Sequence, residues 1–266
     1  MPLSKRFACA LVTGASAGLG EEFVLQLAPR VDSFVLVARR EDRLNELSAV
    51  IRARHPGKLV EVIAADLSRP QDVARVLDHL PQRGLVPDLL VNNAGLGDYG
   101  EFADAEWPRV EAMLRVNIEA LTRLTHGVIP GMIRQKRGAI INISSLASTL
   151  PIPDIAVYSA TKAYVTSFSE AIRVELRDHD IPVLAVCPGP VKTEFGEVAR
   201  RSEEDSIPMN AAFYVSKEQV VAESLAALDA DKPRVYPGLK VAIAAAVITA
   251  LPLFAIRMII SRRPRR

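Results

Sequence analysis

Tyr158 and Lys162 are the residues whose types and spacing most directly indicate chemistry. They lie four residues apart in the helical pattern at residues 157–179, so both side chains fall on one helix face. A tyrosine is ordinarily too weak an acid to exchange protons at neutral pH, but an ammonium one turn away lowers its pKa toward the working range. The pair predicts general acid–base chemistry, with an exposed tyrosine and lysine on an ordinary helix as the alternative.

A glycine-rich turn favours the chemical interpretation. Gly14, Gly18 and Gly20 stand in TGASAGLG at residues 13–20, between an apolar run and a helical pattern. Such glycines let the backbone approach a ligand, and the helix start offers N–H groups and a positive dipole end to a pyrophosphate. The spacing is GxxxGxG rather than the commoner GxGxxG, and a tight turn without a ligand is the alternative. Together with the tyrosine–lysine pair, the turn predicts a dinucleotide site.

Two arginines follow the second apolar run. Folds that bind NAD usually place an acid there, about 20 residues after the glycines, to bond the ribose 2′-hydroxyl. This sequence has Arg39 and Arg40 instead. Arginine suits a 2′-phosphate because it is always charged and bonds in bidentate fashion. We predict that Arg39 binds this phosphate and leave Arg40 open; the alternative is that both begin a solvated helix.

Apolar runs alternate with helical patterns and would position these residues. The predicted strands are 8–13, 33–38, 59–65, 88–92, 139–144 and 183–187, and the predicted helices are 18–29, 41–54, 70–79, 105–130, 157–179 and 216–229. The runs are almost continuously apolar, as in strands covered on both faces. The alternation predicts an α/β fold, a doubly wound parallel sheet with helices on both faces. Ser145 then follows the fifth strand, at the carboxyl edge where such sheets bind ligands.

The motifs, taken together, resemble the short-chain dehydrogenase/reductase family. Its motifs occur in order as TGASAGLG at 13–20, NNAG at 92–95, Asn117 in RVNIEA, Ser145 thirteen residues before Tyr158, YSATK at 158–162 and PGPVKT at 188–193. The resemblance implies a Rossmann-type domain over residues 1–238, with a substrate lid at about 192–230 and a tail at 239–266. ARRxxRL after the second strand and Val235-Tyr236-Pro237-Gly238 also resemble the ketoacyl and hydroxysteroid-type reductases, which are single-domain ketoreductases.

The resemblance assigns four catalytic residues. Tyr158 would give its proton to a substrate carbonyl oxygen as hydride arrives from the nicotinamide, and Ser145 would hold that oxygen by a hydrogen bond. Lys162 would lower the pKa of the tyrosine and bond the nicotinamide ribose. Asn117 would hold a water that passes protons to Lys162.

The resemblance also assigns the cofactor-binding residues, with NADP(H) preferred over NADH. These are Gly14, Ser16, Gly18, Leu19, Gly20, Arg39, Asp66, Leu67, Asn93, Ala94, Gly95, Tyr158, Lys162, Val191 and Thr193. Asp66 and Leu67 would lie against the adenine, and Val191 and Thr193 would fix the carboxamide. No metal is expected, since no cluster of His, Asp or Glu has ligand spacing. A homodimer or homotetramer paired through the helices at about 105–130 and 157–179 is implied as well.

The predicted surroundings of the site are apolar. Leu150-Pro151-Ile152-Pro153 stands between Ser145 and Tyr158, and Leu96, Phe195, Met209 and Phe213 would add to this lining. We therefore expect an apolar carbonyl or alcohol substrate, either a 3-ketoacyl chain or a steroid-like ketone, rather than a sugar. The alternative function is a non-catalytic dinucleotide-binding regulator on the same fold. The four catalytic residue types disfavour it.

Charge and cysteine content restrict the partners and the compartment. The 33 Lys+Arg against 31 Asp+Glu leave a net charge of +2, which excludes binding of nucleic acid through bulk positive charge. Cys9 and Cys187 lie inside apolar runs and predict small buried side chains rather than a disulfide or metal site. Lys5, Arg6 and the short run after them imitate a secretion signal, but the run is too short for one. We expect a cytoplasmic protein.

The C-terminal tail is the one compositional anomaly. Residues 241–256 carry no charge, and residues 257–266 hold five arginines and no acid. Two short helices broken at Pro252, or a single apolar span, both fit this pattern. We rank a lid or subunit interface first, a peripheral membrane contact second and a true span third.

Overall fold

The computed structural model describes residues 5–201 and 213–261, and within them a parallel seven-stranded sheet forms the centre. Its strands are β1 (Phe7–Thr13), β2 (Val31–Ala38), β3 (Leu59–Ala64), β4 (Leu89–Asn92), β5 (Ile140–Ile143), β6 (Val183–Val186) and β7 (Arg234–Val235). They are ordered β3-β2-β1-β4-β5-β6-β7. Strand order reverses between β1 and β4, the position at which such sheets open a ligand crevice.

Helices cover both faces of this sheet. They are α1 (Gly18–Leu27), α2 (Glu41–Arg54), α3 (Pro70–Gln82), α4 (Trp107–Leu114), α5 (Leu121–Gln135), α6 (Ala156–Glu175), α7 (Phe195–Ala199), α8 (Lys217–Asp229), α9 (Leu239–Ala250) and α10 (Leu253–Ser261). Ala10 and Val12 of β1 pack into a core with α1, α2, α8 and α9, whereas Cys9 and Leu11 pack into a second core with α3, α5 and α6. The predicted doubly wound sheet is therefore confirmed. Its strands read as continuous apolar runs because alternate side chains enter different cores.

The predicted helix at 105–130 is divided in the structure. α4 and α5 flank a π-helical turn at Arg115–Ala120, and α5 continues beyond the prediction. Hydropathy cannot show such a turn, because one extra residue per turn leaves the apolar positions on nearly the same face. β7 was not predicted either, since two residues are too few to show a strand pattern.

The tail forms two short helices that meet near Pro252. α9 buries Val241 and Ala245, and α10 buries Ile256. Proline lacks the N–H that would continue α9, so the chain turns there. Among the described residues, no helix has both the length and the apolar character needed to cross a membrane.

Candidate active site

Two serines follow β5 and point to different places. Ser144 is buried, and its Oγ donates to the Lys162 carbonyl oxygen at 2.9 Å and lies 2.6 Å from Thr166 Oγ1. Ser145 caps the 3-10 turn Leu146–Thr149, where its Oγ accepts the Ala147 N–H at 3.1 Å. Ser144 therefore holds α6 to the sheet, and Ser145 is the serine that reaches Tyr158.

Lys162 lies beneath Tyr158 on α6. Only 4% of its surface is exposed, and its Nζ donates to the Ile143 carbonyl oxygen at 2.8 Å. The same Nζ lies 5.7 Å from the centroid of the Tyr158 ring. Lys162 thus lies at the carboxyl end of β5, and the i, i+4 spacing places Tyr158 beside it on the same helix face.

Burial controls the acidity of both groups. Desolvation raises the pKa of Tyr158 to about 12, and a hydrogen bond from Ser145 acts in the opposite direction. Desolvation also lowers the pKa of Lys162 from 10.5 to about 8. The sequence predicted that Lys162 would lower the pKa of Tyr158. The pKa is raised instead, because removal from water disfavours the phenolate. Tyr158 is therefore a neutral phenol that keeps its proton at neutral pH.

The π-helical turn places Asn117 inside the protein. Its Oδ1 accepts the Leu96 N–H at 2.8 Å, and its Nδ2 donates to the Leu96 carbonyl oxygen at 2.9 Å and to Thr161 Oγ1 at 3.0 Å. A Cβ added at Gly95 would lie 3.4 Å from Lys162 Nζ and 3.5 Å from Asn117 Oδ1. Asn117 therefore fixes the loop after β4, which borders Lys162. The sequence analysis did not identify Thr161 as a partner of Asn117. Its position directly before Lys162 is the one feature of the sequence that could have indicated this role.

The glycine loop and the NNAG segment are joined by reciprocal hydrogen bonds. Thr13 Oγ1 accepts the N–H groups of Asn93 and Ala94, each at 3.0 Å. Asn93 Nδ2 donates to the carbonyl oxygens of Thr13 at 2.9 Å and Gly14 at 3.2 Å. Gly14 has a φ of +64°, and a Cβ added at Gly20 would lie 2.2 Å from the Gly14 oxygen. The loop has no room for side chains at these two positions.

The start of α1 fits a dinucleotide pyrophosphate. Ala17 precedes the helix in an extended conformation and provides no side-chain cap, so the first-turn N–H groups remain available for an anion. The neighbouring Ser16 accepts long hydrogen bonds of 3.5 Å from Arg40 Nη2, at its carbonyl oxygen and Oγ. Arg40 also forms an ion pair with Glu194 at 2.8 Å. Arg40 thus connects the loop to the start of the predicted lid, whereas Arg39 lies exposed after β2.

The other predicted cofactor residues lie at the carboxyl edge of the sheet. Asp66 follows β3, and its carboxylate accepts the Ser68 N–H at 3.0 Å and the Ser68 hydroxyl at 2.7 Å. Leu67 is buried. Thr193 lies over Gly18, since a Cβ there would be 3.2 Å from Thr193 Cγ2. Val191 pairs with Val215 in an isolated bridge.

The predicted apolar lining is brought together only in part. The Phe195 ring lies 5.6 Å from the Tyr158 ring, tilted by 49°. Gly97 packs below it, where a Cβ would lie 2.9 Å from Phe195 Cζ. Phe213 packs instead on the core that contains α8 and α9. Met209 lies outside the described residues, as does part of the predicted lid.

A buried ion-pair cluster joins the loop after β4 to the end of α7. Asp98 lies 3.0 Å from Arg109 Nε and 2.6 Å from Arg201 Nη2, and these arginines hold the pKa of its carboxyl below the usual value against desolvation. Sequence reasoning missed this cluster because its members lie 11 and 103 residues apart. Both cysteines are buried, as predicted. No group of three metal-ligating side chains occurs within the described parts of the chain.

Comparisons with known proteins agree with this geometry. The short chain dehydrogenase family model matches residues 8–204. A very-long-chain 3-oxoacyl-CoA reductase of Anas platyrhynchos is 32% identical over 207 residues, which are 76% of this chain and 65% of that protein. The chain thus spans less than two thirds of this relative.

Solved structures match over nearly the whole chain. A short-chain dehydrogenase from Sphingobium yanoikuyae, in complex with NADPH, is 32% identical, with a TM-score of 0.80 and 97% of each chain covered. The bulky-bulky ketone specific alcohol dehydrogenase from Comamonas testosteroni is 27% identical, with a TM-score of 0.76, and the match covers 100% of this chain and 96% of that one. The family match, the sheet order and the shared structures lead to one conclusion: the chain belongs to the short-chain dehydrogenase/reductase family of oxidoreductases.

Proposed function

We propose that the protein is an NADPH-dependent ketoreductase that reduces the keto group of an apolar substrate, in the first place a 3-oxoacyl thioester, to a secondary alcohol. The observation that carries the proposal is the position of Tyr158, close to Ser145 and over the buried Lys162. These three groups provide a proton donor, a hydrogen-bond donor and a cation at one edge of the sheet.

Tyr158 donates the proton in this proposal. Burial raises the pKa of its hydroxyl to about 12, so the group is protonated when a carbonyl arrives. A bound nicotinamide dinucleotide supplies the hydride. Ser145 donates a hydrogen bond to the same oxygen as negative charge develops on it.

Lys162 stabilises the charge left on Tyr158 after proton transfer. Its ammonium is close to the ring and is shielded from water, so its attraction to the phenolate is stronger than at a surface. The Ile143 carbonyl oxygen holds Nζ in place. Asn117 positions the neighbouring Leu96 backbone and Thr161, and a proton path from Lys162 through a water near Asn117 is part of the proposal.

The preference for NADPH rests on charge at the end of β2. Arg39 and Arg40 occupy the region where NAD-preferring folds carry an acid. Arg40 also reaches the Ser16 backbone. A solved relative at 32% identity is in complex with NADPH, which supports the same preference here.

The apolar substrate class rests on Phe195 and on the relatives. Phe195 places an aromatic ring beside Tyr158, at the position where the carbon skeleton of a substrate would lie. The relatives include a 3-oxoacyl-CoA reductase and an alcohol dehydrogenase specific for bulky ketones. Pairing of subunits through α4, α5 and α6 stays a prediction of the family resemblance.

The test is NADPH oxidation with 3-oxoacyl-CoA substrates of increasing chain length and with bulky apolar ketones. Removal of a general acid typically costs about 10²- to 10⁴-fold in rate, so we expect Tyr158→Phe to lose turnover by that amount while keeping its affinity for NADPH. Tyr164→Phe, on the same helix, is the matched control and should keep full turnover. Equal turnover in the wild type and Tyr158→Phe would refute the mechanism. NADPH binding without turnover on any carbonyl would favour a regulatory dinucleotide-binding protein.

A further inference from the structure

We propose that α9 and α10 form a docking surface for an anionic lipid bilayer, lying in the plane of the membrane surface. The proposal is independent of the proposed function, since it rests on the exposure and charge of the tail. We name the uncovered side chains Leu239, Ile243, Ala246, Val247 and Ala250 of α9, with Leu251 and Phe254, the tail surface.

Apart from Lys240 and Thr249, α9 consists of apolar residues, but it is covered on only one side. Val241 and Ala245 face the core, whereas Ile243 and Val247 on the opposite face are 55% and 56% exposed. The exposed positions recur at intervals of three and four residues, so they form one stripe along the helix. A helix that is apolar on every side is typical of a protein interior or a lipid environment, and water is a poor solvent for its outer face.

α10 continues the same pattern beyond Pro252. Phe254 is 71% exposed, although a ring of this size is usually buried, and Arg257 is exposed on the next turn. An aromatic ring next to a cation is typical of helices at the lipid–water interface.

The charges of the tail fit an anionic surface. Residues 239–266 contain one lysine and five arginines, 1 + 5 = 6 cations, and no acid. The remaining residues hold 33 − 6 = 27 cations against 31 acids, a net charge of −4. Four of the five residues that follow Ser261 are arginines. Along the sequence, the positive charge of the protein is therefore concentrated within and directly after the segment that forms the tail surface.

This combination favours lipid over a protein partner. Protein interfaces combine apolar centres with polar rims, whereas the sequence of residues 239–266 combines apolar residues with cations and no acid. Polybasic segments beside apolar helices bind acidic phospholipid, and each cation contributes about fivefold to partitioning. A transmembrane arrangement is disfavoured because no described helix is long enough.

The surface lies close to the active site. Val241, on the inner face of α9, packs on Gly189, where a Cβ would be 2.8 Å from Val241 Cγ2. α9 also contacts the 3-10 turn Leu146–Thr149, which begins directly after Ser145. With α9 between them, docking would hold the turn Leu146–Thr149 about one helix diameter, roughly 10 Å, from the lipid.

Vesicle flotation of the full-length protein tests the proposal. The probes are vesicles of phosphatidylcholine alone and of equal parts phosphatidylcholine and phosphatidylserine. We expect binding to the anionic vesicles that weakens as salt is added, because salt screens the cationic contribution. The double variant Ile243→Gln/Val247→Gln should lose at least about tenfold in vesicle affinity, since two large apolar groups no longer leave water.

Val174→Gln on α6 is the matched control. Val174 is 59% exposed on a helix, close to the 56% of Val247, but no cationic segment accompanies it. The control should bind anionic vesicles as the wild type does. Arg263→Gln/Arg265→Gln should reduce binding to anionic vesicles and leave phosphatidylcholine binding unchanged, whereas Arg43→Gln/Arg54→Gln in α2 should change neither.

Two outcomes would overturn the proposal. One is equal flotation of the wild type and the Ile243→Gln/Val247→Gln variant, with circular dichroism showing both folded. The other is a change of oligomeric mass in that variant without a change in vesicle binding. The second outcome would assign the tail surface to contact between copies of this chain.

Discussion

The glycine loop at residues 13–20 and the tail helices α9 and α10 are both built mainly from small or apolar residues, but their surroundings differ sharply. In the loop, Thr13, Gly14 and Asn93 exchange hydrogen bonds in both directions, and a single methyl group at Gly20 has no space. In the tail, Val241 is completely buried while Val247, on the same helix, is 56% exposed.

Two regions of similar composition can therefore serve different functions, depending on how completely the rest of the chain packs around them. The loop is fixed by its own backbone and its neighbours before any ligand binds, so it is preorganised for a cofactor. The tail buries one face of α9 but leaves the opposite face uncovered, where Ile243 and Val247 are 55% and 56% exposed. Contacts within the chain account for the residues of the glycine loop. They do not account for the apolar outer face of α9, which we assign to binding of a partner, the lipid surface proposed above.

Gly20→Ala should have a large effect on cofactor binding and tests whether the glycine loop is rigid. The new Cβ would lie 2.2 Å from the Gly14 oxygen and 2.5 Å from Asn93 Nδ2, so the loop must shift. Misplacement on this scale costs about 100-fold, and we expect that loss in NADPH affinity by calorimetry. Gly196→Ala in α7, where no atom lies within 4 Å of the added Cβ, should bind NADPH normally. Normal binding by Gly20→Ala would show that the loop is adaptable.

Lys162→Met tests how much the burial of the Lys162 ammonium destabilises the folded protein. The pKa of Lys162 is lowered from 10.5 to about 8, so the folded protein disfavours the cation. Above pH 10.5 the Lys162 side chain is neutral in both the folded and the unfolded protein, so its burial does not reduce the free energy of unfolding. As the pH falls from 10.5 to 8, the unfolded state takes up a proton that the folded state does not, and stability is lost. Relative to Lys162→Met, the free energy of unfolding of the wild type should rise by about 3 kcal/mol over this interval. Urea unfolding at several pH values measures it.

Tyr158 is present in both proteins and, with a pKa raised to about 12, keeps its proton in the folded wild type over this pH interval. Lys136→Met, an exposed lysine at the end of α5, is the control and should follow the wild type at every pH. Parallel pH profiles of the wild type and Lys162→Met would contradict a buried, destabilised ammonium.

Val241→Ala and Val247→Ala compare the two faces of α9 directly. Val241 is fully buried, so its truncation should reduce the free energy of unfolding by about 2 kcal/mol. Val247 is exposed, so the same substitution there should change it by less than about 0.5 kcal/mol. Chemical denaturation without lipid provides the measurement. Equal losses at both positions would mean that the outer face is already covered, for example by a second copy of the chain.

Arg39→Ala should have a modest effect and tests which arginine at the end of β2 binds the 2′-phosphate of the cofactor. Loss of one exposed charge-assisted contact should raise the Kd for NADPH about tenfold and leave NADH binding almost unchanged. Arg40→Ala is the informative companion, because Arg40 already contacts Ser16 and Glu194. A selective NADPH defect in Arg40→Ala alone would move the phosphate-binding role to that residue.

Much of the fold could be predicted because its signals are local. Each of the six predicted strands is a short apolar run, and such a run requires only that both of its faces be covered. Tyr158 and Lys162 were predictable for a similar reason, since a spacing of four residues places two side chains on one helix face wherever the helix lies. Ser145 could be selected by its distance from Tyr158, and the different contacts of Ser144 agree with that selection.

Other features depend on residues far apart in sequence. Asp98, Arg109 and Arg201 meet only after the loop beyond β4 reaches α7. The π-helical turn around Asn117 depends on contacts with Leu96 and Thr161, which no hydropathy pattern records. The pKa of Tyr158 was expected to fall because of its lysine, but it rises because the folded chain removes the ring hydroxyl from water.

The sequence by itself therefore determined the family and the sheet and selected the candidate reacting groups, because these depend on residue type and short spacing. Tertiary structure decided which protonation state those groups prefer and which apolar surfaces remain exposed. Both properties depend on how much water is excluded at each position, and that is set by the packing of the whole chain.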